Sequence, residues 1–407
     1  MGGTTEIEWT TRRWNPIRAR LIGPDGAAIR WADGKARFGW LCEKVSPGCD
    51  HCYAEGFNRR LGTGLAYKKG LLDAVERDGR LSDGVCREAG LPAGTRVEVF
   101  LDEGELAAPL GWQPRRWKGP PLCFVGTMTD LFARFVPDAW LDRILAVIAL
   151  QPAVTFQILT KRSARMRGYC ARPHMGREIW ALADTIATDE RLGHGHASFA
   201  YLMAGSDAAP WPLDNLWLGV SVEDQTRADG RIPDLLATPA AVRFVSAEPL
   251  LGAIDLNRDI GGTLWIGGQR GCGGAHQHGG PMPHDHGPGT SLVQGDPRQM
   301  HHHHDNRCKA GLDWIIAGGE SGREARPMHP AWARGLRDQC ASAGVPFFFK
   351  QWGDWLPAGQ DGAYRDGDQI LNCSDEPVRV GKAAAGRLLD GATHDAMPAL
   401  RTGTGAG

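Results

Sequence analysis

The sequence predicts an α/β fold, namely a full or partial (βα) barrel of six to seven parallel strands with insertions. From residue 121 onward, short apolar runs alternate with amphipathic segments of helical spacing. The predicted strands are 122–125, 154–159, 216–220, 242–245, 314–317 and 345–349, and the predicted helices are 137–150, 162–169, 224–237 and 330–342. Short buried strands separated by helices favour a parallel sheet. An open doubly wound sheet is the competing architecture, although no G-x-G-x-x-G follows a first strand.

The element boundaries follow from apolar spacing and from helix breakers. The helix 137–150 stops before Pro152, and its apolar face consists of Trp140, Leu141, Ile144, Leu145 and Ile148. The helix 330–342 is expected to end at Gly344. The first barrel strand is expected near residues 38–41, so residues 1–38 are predicted to be an irregular segment that wraps the cysteine region.

The domain prediction is one barrel over residues 1–355 with three insertions. The insertions are expected at about 63–120, at 171–213 and in a His-rich loop at 268–311. Residues 356–407 are rich in Gly, Ala and Asp, and they are predicted to form a peripheral or partly disordered tail.

Composition sets the broad class of the protein. The chain has 407 residues, 42% of them hydrophobic, and a net charge of −1, so no overall basic field points to nucleic acid. The polar start of the chain shows no secretory signal, and no apolar run reaches the roughly 20 residues of a membrane span. We therefore expect a cytoplasmic protein with no membrane partner, in which a subset of the ten cysteines binds metal.

The strongest chemical signal is the cluster of Cys42, Cys49 and Cys52, spaced C-x6-C-x2-C. Three thiolates can hold a four-iron cluster with one iron open, or a zinc ion whose fourth ligand comes from elsewhere. A redox dithiol of Cys49 and Cys52 leaves Cys42 unexplained. Three ordinary buried thiols are disfavoured, because this spacing is rare among cysteines that only fill a core.

Polar residues end all six predicted strands, and the carboxyl ends of parallel barrel strands surround one mouth. The candidate catalytic residues at these ends are Lys161, Glu223, Glu248 and Lys350, and a further polar group comprises Gly318, Gly319, Glu320 and Ser321. This convergence indicates an enzyme. The competing interpretation is that loops are polar in general and that the charged residues form structural ion pairs.

A second metal site is possible in the His-rich loop, from Cys272, Cys308, His302 and His304. The alternative is a flexible low-complexity loop without a ligand. A zinc-dependent hydrolase built on this loop is disfavoured, because it contains no H-E-x-x-H helix.

The chain resembles an uncharacterised phage-associated family with a three-cysteine motif. The matching segments are EWT (8–10), WNP (14–16), CEKVSPGCDHCYAE (42–55), FVGTMTDLF (124–132), LTKR (159–162), LGVSVED (218–224), FVSAEPL (244–250), GGESG (318–322) and FKQWG (349–353). That family resembles a divergent branch of the radical S-adenosylmethionine (SAM) enzymes of the spore photoproduct lyase type. The usual spacing there is C-x3-C-x2-C, which differs from the spacing in this chain.

The resemblance implies a radical-SAM-like barrel with a 4Fe-4S cluster on the three cysteines and SAM on the open iron. It also implies an electron donor and a nucleic-acid or modified-base substrate. Gly318 and Gly319 would then let the ligand approach the backbone, and Glu320 or Ser321 would accept from its amine or ribose. Glu223 and Glu248 would contact ribose or substrate, while the basic residues Lys161, Arg162 and Lys350 would meet a carboxylate or phosphate. The alternative function is a non-catalytic zinc or iron-sulfur protein that binds nucleic acid or a phage-encoded partner.

Overall fold

The computed structural model describes residues 5, 7–68, 78–188, 209–260, 263–269, 311–365, 368–372 and 374–400. The suggested second metal ligands Cys272, Cys308, His302 and His304 lie outside these residues, as does most of the His-rich loop. No helix in the described ranges is long and apolar enough to cross a membrane.

The strands are β1 (Arg12–Trp14), β2 (Ile17–Ile22), β3 (Phe38–Gly39), β4 (Arg96–Leu101), β5 (Leu122–Val125), β6 (Thr155–Thr160), β7 (Leu216–Ser221), β8 (Val242–Ala247), β9 (Asp259–Ile260), β10 (Thr263–Leu264), β11 (Gly268–Gln269), β12 (Trp314–Gly318), β13 (Phe347–Gln351), β14 (Trp355–Leu356), β15 (Asp361–Arg365), β16 (Asp368–Leu371) and β17 (Val378–Arg379). The α-helices are Tyr53–Leu61, Asp83–Glu88, Glu103–Ala107, Asp138–Ala149, Ser163–Cys170, Met175–Ala187, Gln225–Leu236, Pro330–Ala343 and Lys382–Ala385. Single 3-10 turns lie at Pro47–Cys49, Ala108–Gly111 and Pro114–Arg116.

Seven strands form one parallel sheet in the order β1-β5-β6-β7-β8-β12-β13. The sheet is a half-barrel, because β1 and β13 are its two edges and do not pair with each other. The α/β class and the partial barrel of parallel strands are therefore confirmed. Each of the six predicted strands from residue 122 onward is present within two residues of its expected bounds.

The helices between these strands cover the convex face of the sheet. In the helix Asp138–Ala149, Leu141, Ile144 and Ile148 are buried against the main core, as the apolar spacing predicts. The helix Pro330–Ala343 ends at Gly344, which has a φ of 66°. A side chain is rarely found in this left-handed conformation, so a glycine is favoured at that position.

The position of the first barrel strand is corrected by the structure. Residues 38 and 39 form β3, which pairs antiparallel with β2, and β2 pairs antiparallel with β4 in a separate three-stranded sheet. The first parallel strand is instead β1, whose Trp14 is fully buried. Two of the three residues in β1 are arginines, so no apolar run identifies this strand in the sequence. The described residues up to 38 are consequently less irregular than expected.

The region 63–120, expected to be an insertion, contributes β4 and two short helices in the described part of the chain. Its Leu81, Leu91 and Val97 pack with residues of β2 in a small core separate from that of the half-barrel. The expected excursion at 171–213 contains the helix Met175–Ala187.

The segment after residue 356 differs from the expected peripheral tail. Leu356, Ala385 and Leu389 are at most 1% exposed and belong to the main core. The backbone amide of Phe349 in β13 donates to the carbonyl of His394, 2.8 Å away. These few apolar residues lie among Gly, Ala and Asp, so the segment looks polar in sequence although residues 374–400 pack against the barrel.

Candidate functional site

The carboxyl ends of the parallel strands open into one cleft with a volume of about 760 Å³. The three clustered cysteines line the same cleft, so the half-barrel brings them to its mouth. Its polar lining residues include Asp130, Thr160, Lys161, Arg162, Ser221, Ser246, Glu248, Glu320, Ser321, Lys350 and Gln351. All six strand ends singled out in the sequence therefore contribute to this cleft. The cysteine loop reaches it although β3, the strand before that loop, lies outside the parallel sheet.

The three thiols are free and half-buried in the cleft wall. Cys42 follows the antiparallel strand β3, Cys49 ends the 3-10 turn Pro47–Cys49, and Cys52 caps the helix Tyr53–Leu61. The amides of Ala54 and Glu55 in the first turn of that helix donate toward Cys52 and favour its thiolate.

Burial opposes the charged form of two of these thiols. Desolvation raises the pKa of Cys42 to about 12, with a smaller contribution from Asp130, whereas the nearby Arg162 favours the thiolate. Desolvation also raises the pKa of Cys52, against the effect of Lys161. Deprotonation of the pair therefore needs a compensating positive charge, such as bound metal provides.

The three thiols are donors of the kind that hold an iron-sulfur cluster. Within the described ranges, no group of three His, Cys, Asp or Glu side chains is placed to hold one ion. A four-iron cluster is held by thiolates around a body several atoms wide, so its ligands do not converge on one point. Three free thiols on one wall of a cleft, with helix amides and two cations beside them, are suitable ligands for such a cluster.

Glu223 is fully buried and does not line the cleft. It accepts hydrogen bonds from Ser46 Oγ at 2.6 Å and from Arg231 at 3.0 Å. Lys161 Nζ lies 3.8 Å from the same carboxylate. The expected contact of Glu223 with ribose or substrate does not fit this position, because its oxygens already bind the cysteine loop and two cations.

Glu248 and Lys350 form an ion pair in the cleft wall, with 3.0 Å between Nζ and Oε1. Glu248 also accepts hydrogen bonds from Trp9 Nε1 at 3.3 Å and from Ser246 Oγ at 3.1 Å. Burial opposes the charge of Lys350, but Glu248 and Glu8 raise its pKa overall. The ammonium group of Lys350 and the carboxyl group of Glu248 thus lie side by side in the cleft wall.

Gly318 ends β12 and Gly319 follows it, and a Cβ on either glycine would meet atoms of the protein itself. A Cβ on Gly319 would lie 1.9 Å from the carbonyl oxygen of Trp352, so this glycine permits close approach of the β13 backbone. A Cβ on Gly318 would lie 2.8 Å from Glu248 Oε1 and 3.3 Å from Lys350 Cβ. Both glycines therefore permit close packing of the protein itself, and Gly319 also lines the cleft, so the approach of a ligand to this backbone stays a prediction.

Glu320 lines the cleft and is bound by Arg326, which the sequence did not single out. Arg326 donates to both oxygens of Glu320, at 2.7 and 2.8 Å, and also to the carbonyl of Pro47 at 2.8 Å. Ser321 Oγ lies 3.5 Å from Gln351 Oε1, at the limit of a hydrogen bond. The carboxylate of Glu320, which is expected to accept from a ligand amine, is thus already paired with the guanidinium group of Arg326.

The segment at the end of β6 is linked to the cysteine loop. Arg162 forms an ion pair with Asp130 at 2.9 Å and lies 3.4 Å from Glu43, next to the first cysteine. Thr160 Oγ1 donates to Asp130 at 2.7 Å. In the sequence Asp130 belongs to the polar segment after the strand 122–125, and Arg162 is expected to meet a carboxylate or a phosphate. The structure places both in a connected network of protein groups.

These features define an α/β half-barrel protein with a three-cysteine cleft at the carboxyl ends of its strands. The model of the family described as "Protein of unknown function (DUF5131)" matches residues 26–398, and the chain belongs to that family. No curated protein and no solved structure matches the chain.

Proposed function

We propose that this chain is a radical-SAM-like enzyme whose Cys42, Cys49 and Cys52 hold a 4Fe-4S cluster. The observation that carries the proposal is the position of three free thiols in the wall of a cleft lined by six parallel strand ends. Cofactor sites in barrel enzymes are found at this end of the strands. SAM would occupy the part of the cleft next to the thiols.

When bound, the cluster would pass one electron from a low-potential donor protein to SAM, which would split into methionine and an adenosyl radical that takes a hydrogen atom from the substrate. The residues of the chain have three tasks in this scheme. Lys161 and Arg162 offset the negative charge of the thiolates. The ion pair of Glu248 and Lys350 presents both signs of charge to a bound ligand. The half-buried cleft wall limits the access of water to the thiols.

The substrate part of the proposal is a nucleic acid or a modified base. It rests on the resemblance to the spore photoproduct lyase type, which is an analogy at the level of the family. The cytoplasmic location, expected from the polar start of the chain and its cysteine usage, and a phage-encoded partner protein stay predictions.

Anaerobic purification with iron, sulfide and zinc analysis tests the cofactor. We expect four irons per chain, a brown colour, and loss of both in Cys42→Ala, Cys49→Ala and Cys52→Ala. Cys340→Ala is the matched control, because Cys340 is a free buried thiol in the main core that does not line the cleft. It should keep the iron.

Addition of dithionite and SAM to the wild-type protein should produce 5′-deoxyadenosine, which chromatography detects. Stoichiometric zinc without iron would contradict the proposal and favour the alternative of a non-catalytic metal protein that binds nucleic acid or a partner. An intact cluster with neither SAM binding nor 5′-deoxyadenosine would contradict the enzyme and leave an iron-sulfur binding protein.

A further inference from the structure

The linker between the first two clustered cysteines, residues 43–48, is longer than the usual radical-SAM linker and has little regular structure. Its only regular element begins at its end, in the 3-10 turn Pro47–Cys49. A short irregular loop samples many conformations unless other groups restrain it. The distance between Cys42 and Cys49 therefore depends on the contacts that residues 43–48 make with the barrel.

The first contact joins this linker to the end of β7. Ser46 Oγ donates to Glu223 at 2.6 Å, and the carboxylate is fully buried between the loop and Arg231. The turn lies directly on this carboxylate, because a Cβ on Gly48 would be 2.5 Å from Glu223 Oε1. A charged group in such a position holds its partners firmly, since an unpaired buried charge is costly.

The second contact joins the linker to the segment after β12. Arg326 binds both oxygens of Glu320 and donates to the carbonyl of Pro47 at 2.8 Å. The same guanidinium group lies 3.8 Å from Asp50, between the second and third cysteines. Two charge networks from two different strands thus meet at adjacent positions of one turn.

We propose that Glu223 and Arg326 are positioning residues that set the spacing of the three thiols for the cluster. This inference rests on the proposed function, because it assigns these residues a role in holding that cluster. Residues that contact the ligands of a metal centre orient those ligands. Substitution of such residues weakens metal binding about 10- to 100-fold. The two networks replace the restraint that a shorter linker provides by its length alone.

The first network also reaches a cluster ligand. Ser46 Oγ lies 4.0 Å from Cys49 Sγ while it donates its proton to Glu223. The carboxylate therefore orients the hydroxyl group next to this sulfur. Polar groups near the sulfurs are one of the factors that set the reduction potential of an iron-sulfur cluster. Removal of the Ser46 hydroxyl is expected to shift that potential as well as to loosen the loop.

The test uses small changes in the loop and at the arginine, because Glu223 variants leave Arg231 buried without its partner. Ser46→Ala and Arg326→Gln break one network each, and Ser46→Thr and Arg326→Lys keep the hydroxyl group and the positive charge. Arg172→Gln is the matched control, since Arg172 pairs with Asp142 at 2.5 Å at similar exposure and does not line the cleft. Cluster loss to a chelator, the midpoint potential and the electron paramagnetic resonance spectrum are measured for each anaerobic protein.

We expect Ser46→Ala and Arg326→Gln to lose the cluster about 10- to 100-fold faster than the wild type, with unchanged circular dichroism. Ser46→Ala should also shift the midpoint potential, and Ser46→Thr and Arg326→Lys should restore most of the retention. If Ser46→Ala and Arg326→Gln contain the cluster and show wild-type rates of cluster loss and wild-type spectra, the positioning role is overturned. The proposed function would not be affected by that result. A wild-type protein without iron would overturn the proposed function and this inference together.

Discussion

The concave face of the half-barrel has two layers of opposite character, built from the same strands. At the amino ends, aromatic side chains pack against one another in a floor of buried residues: Trp9, Phe124, Trp217, Phe244, Trp314, Ile316 and Phe348. At the carboxyl ends, the same strands carry the serines, glutamates and lysines of the cleft. One layer is a buried aromatic core, and the other layer lines the cleft with polar and charged groups.

The two layers follow from the alternation of side chains along a strand. In β7 and the two residues that follow it, every second residue lies on the concave face, namely Trp217, Gly219, Ser221 and Glu223. In β8 the same step leads from Phe244 through Ser246 to Glu248. The large aromatic group fills the interior and a small residue follows it. The acidic residues differ, because Glu248 lines the cleft whereas Glu223 is buried against the cysteine loop. In β7 and β8 the aromatic residue and the first polar residue of the site are thus four positions or fewer apart, and variants in the two layers should behave differently.

The largest loss of stability is expected for a substitution in the floor, the aromatic layer at the amino ends of the strands. Trp314 is fully buried, contacts four other aromatic rings and donates from Nε1 to the carbonyl of Ala396 at 2.9 Å. Trp314→Ala should lower the free energy of unfolding by about 3–5 kcal/mol, because a large cavity remains. Urea unfolding followed by circular dichroism measures this change. A loss below about 1 kcal/mol would show that the floor is not the stabilising layer.

The next largest loss of stability is expected in the cleft wall, at the ion pair of Lys350 and Glu248. Lys350→Met should cost about 3 kcal/mol, because Glu248 is left without its cation in a half-buried wall. The double variant with Glu248→Gln should recover most of this loss, which a double-mutant cycle measures. Equal losses in the single and double variants would show that the pair contributes no coupling.

The same pair predicts a dependence on alkaline pH. The folded protein raises the pKa of Lys350 above its ordinary 10.5, through Glu248 and against desolvation. A raised pKa of a base means that its contribution is complete below pH 10.5 and is lost as the pH rises through the folded value. The stability difference between wild type and Lys350→Met should therefore shrink above pH 10.5 in paired unfolding curves. A constant difference up to the most alkaline pH tested would contradict the shift.

A smaller loss of stability is expected for alanine substitutions at Gly318 and Gly319, and the two losses should differ. Gly319→Ala should cost about 1–3 kcal/mol, because its Cβ meets the rigid backbone at Trp352. Gly318→Ala should cost less, since its Cβ meets the side chains of Glu248 and Lys350. Thermal unfolding of both variants tests the order. If Gly318→Ala were the less stable variant, the packing account of Gly319 would be wrong.

The smallest effect is expected outside both layers, at Asp390 of the C-terminal segment. Arg334 and Arg337 lie 2.6 and 2.7 Å from this carboxylate, and Arg334 is the main cause that lowers its pKa. A lowered acid pKa contributes stability above the ordinary value of 3.8, and that stability is lost as the pH falls. Asp390→Asn should cost under about 1 kcal/mol at neutral pH, since the pair is partly exposed, and nothing in acid. Unfolding curves at the two pH values measure this, and an equal cost at both would contradict it.

Much of the half-barrel could be predicted from the sequence, because each strand and helix carries its own periodic signal. The runs around Phe124 and Ile315 are apolar without interruption, as is typical of buried parallel strands, and the helix Asp138–Ala149 shows one apolar face. Strand β1 was missed because two arginines occupy its three positions, and its place depends on pairing with β5. The C-terminal segment was misjudged because a few buried residues, such as Leu389, lie in a polar stretch.

The sequence by itself determined the spacing of the three cysteines and the polar residue at each strand end, since both are local features. Only the tertiary structure decided which of those residues face the cleft and which hold the cysteine loop. Glu223 meets Ser46 across 177 positions of the chain, and Arg326 meets Pro47 across 279. Such pairs depend on the order in which strands assemble into a sheet and on the register between them. No periodicity within a single segment encodes either of these, so the partners of a charged side chain appear only after folding.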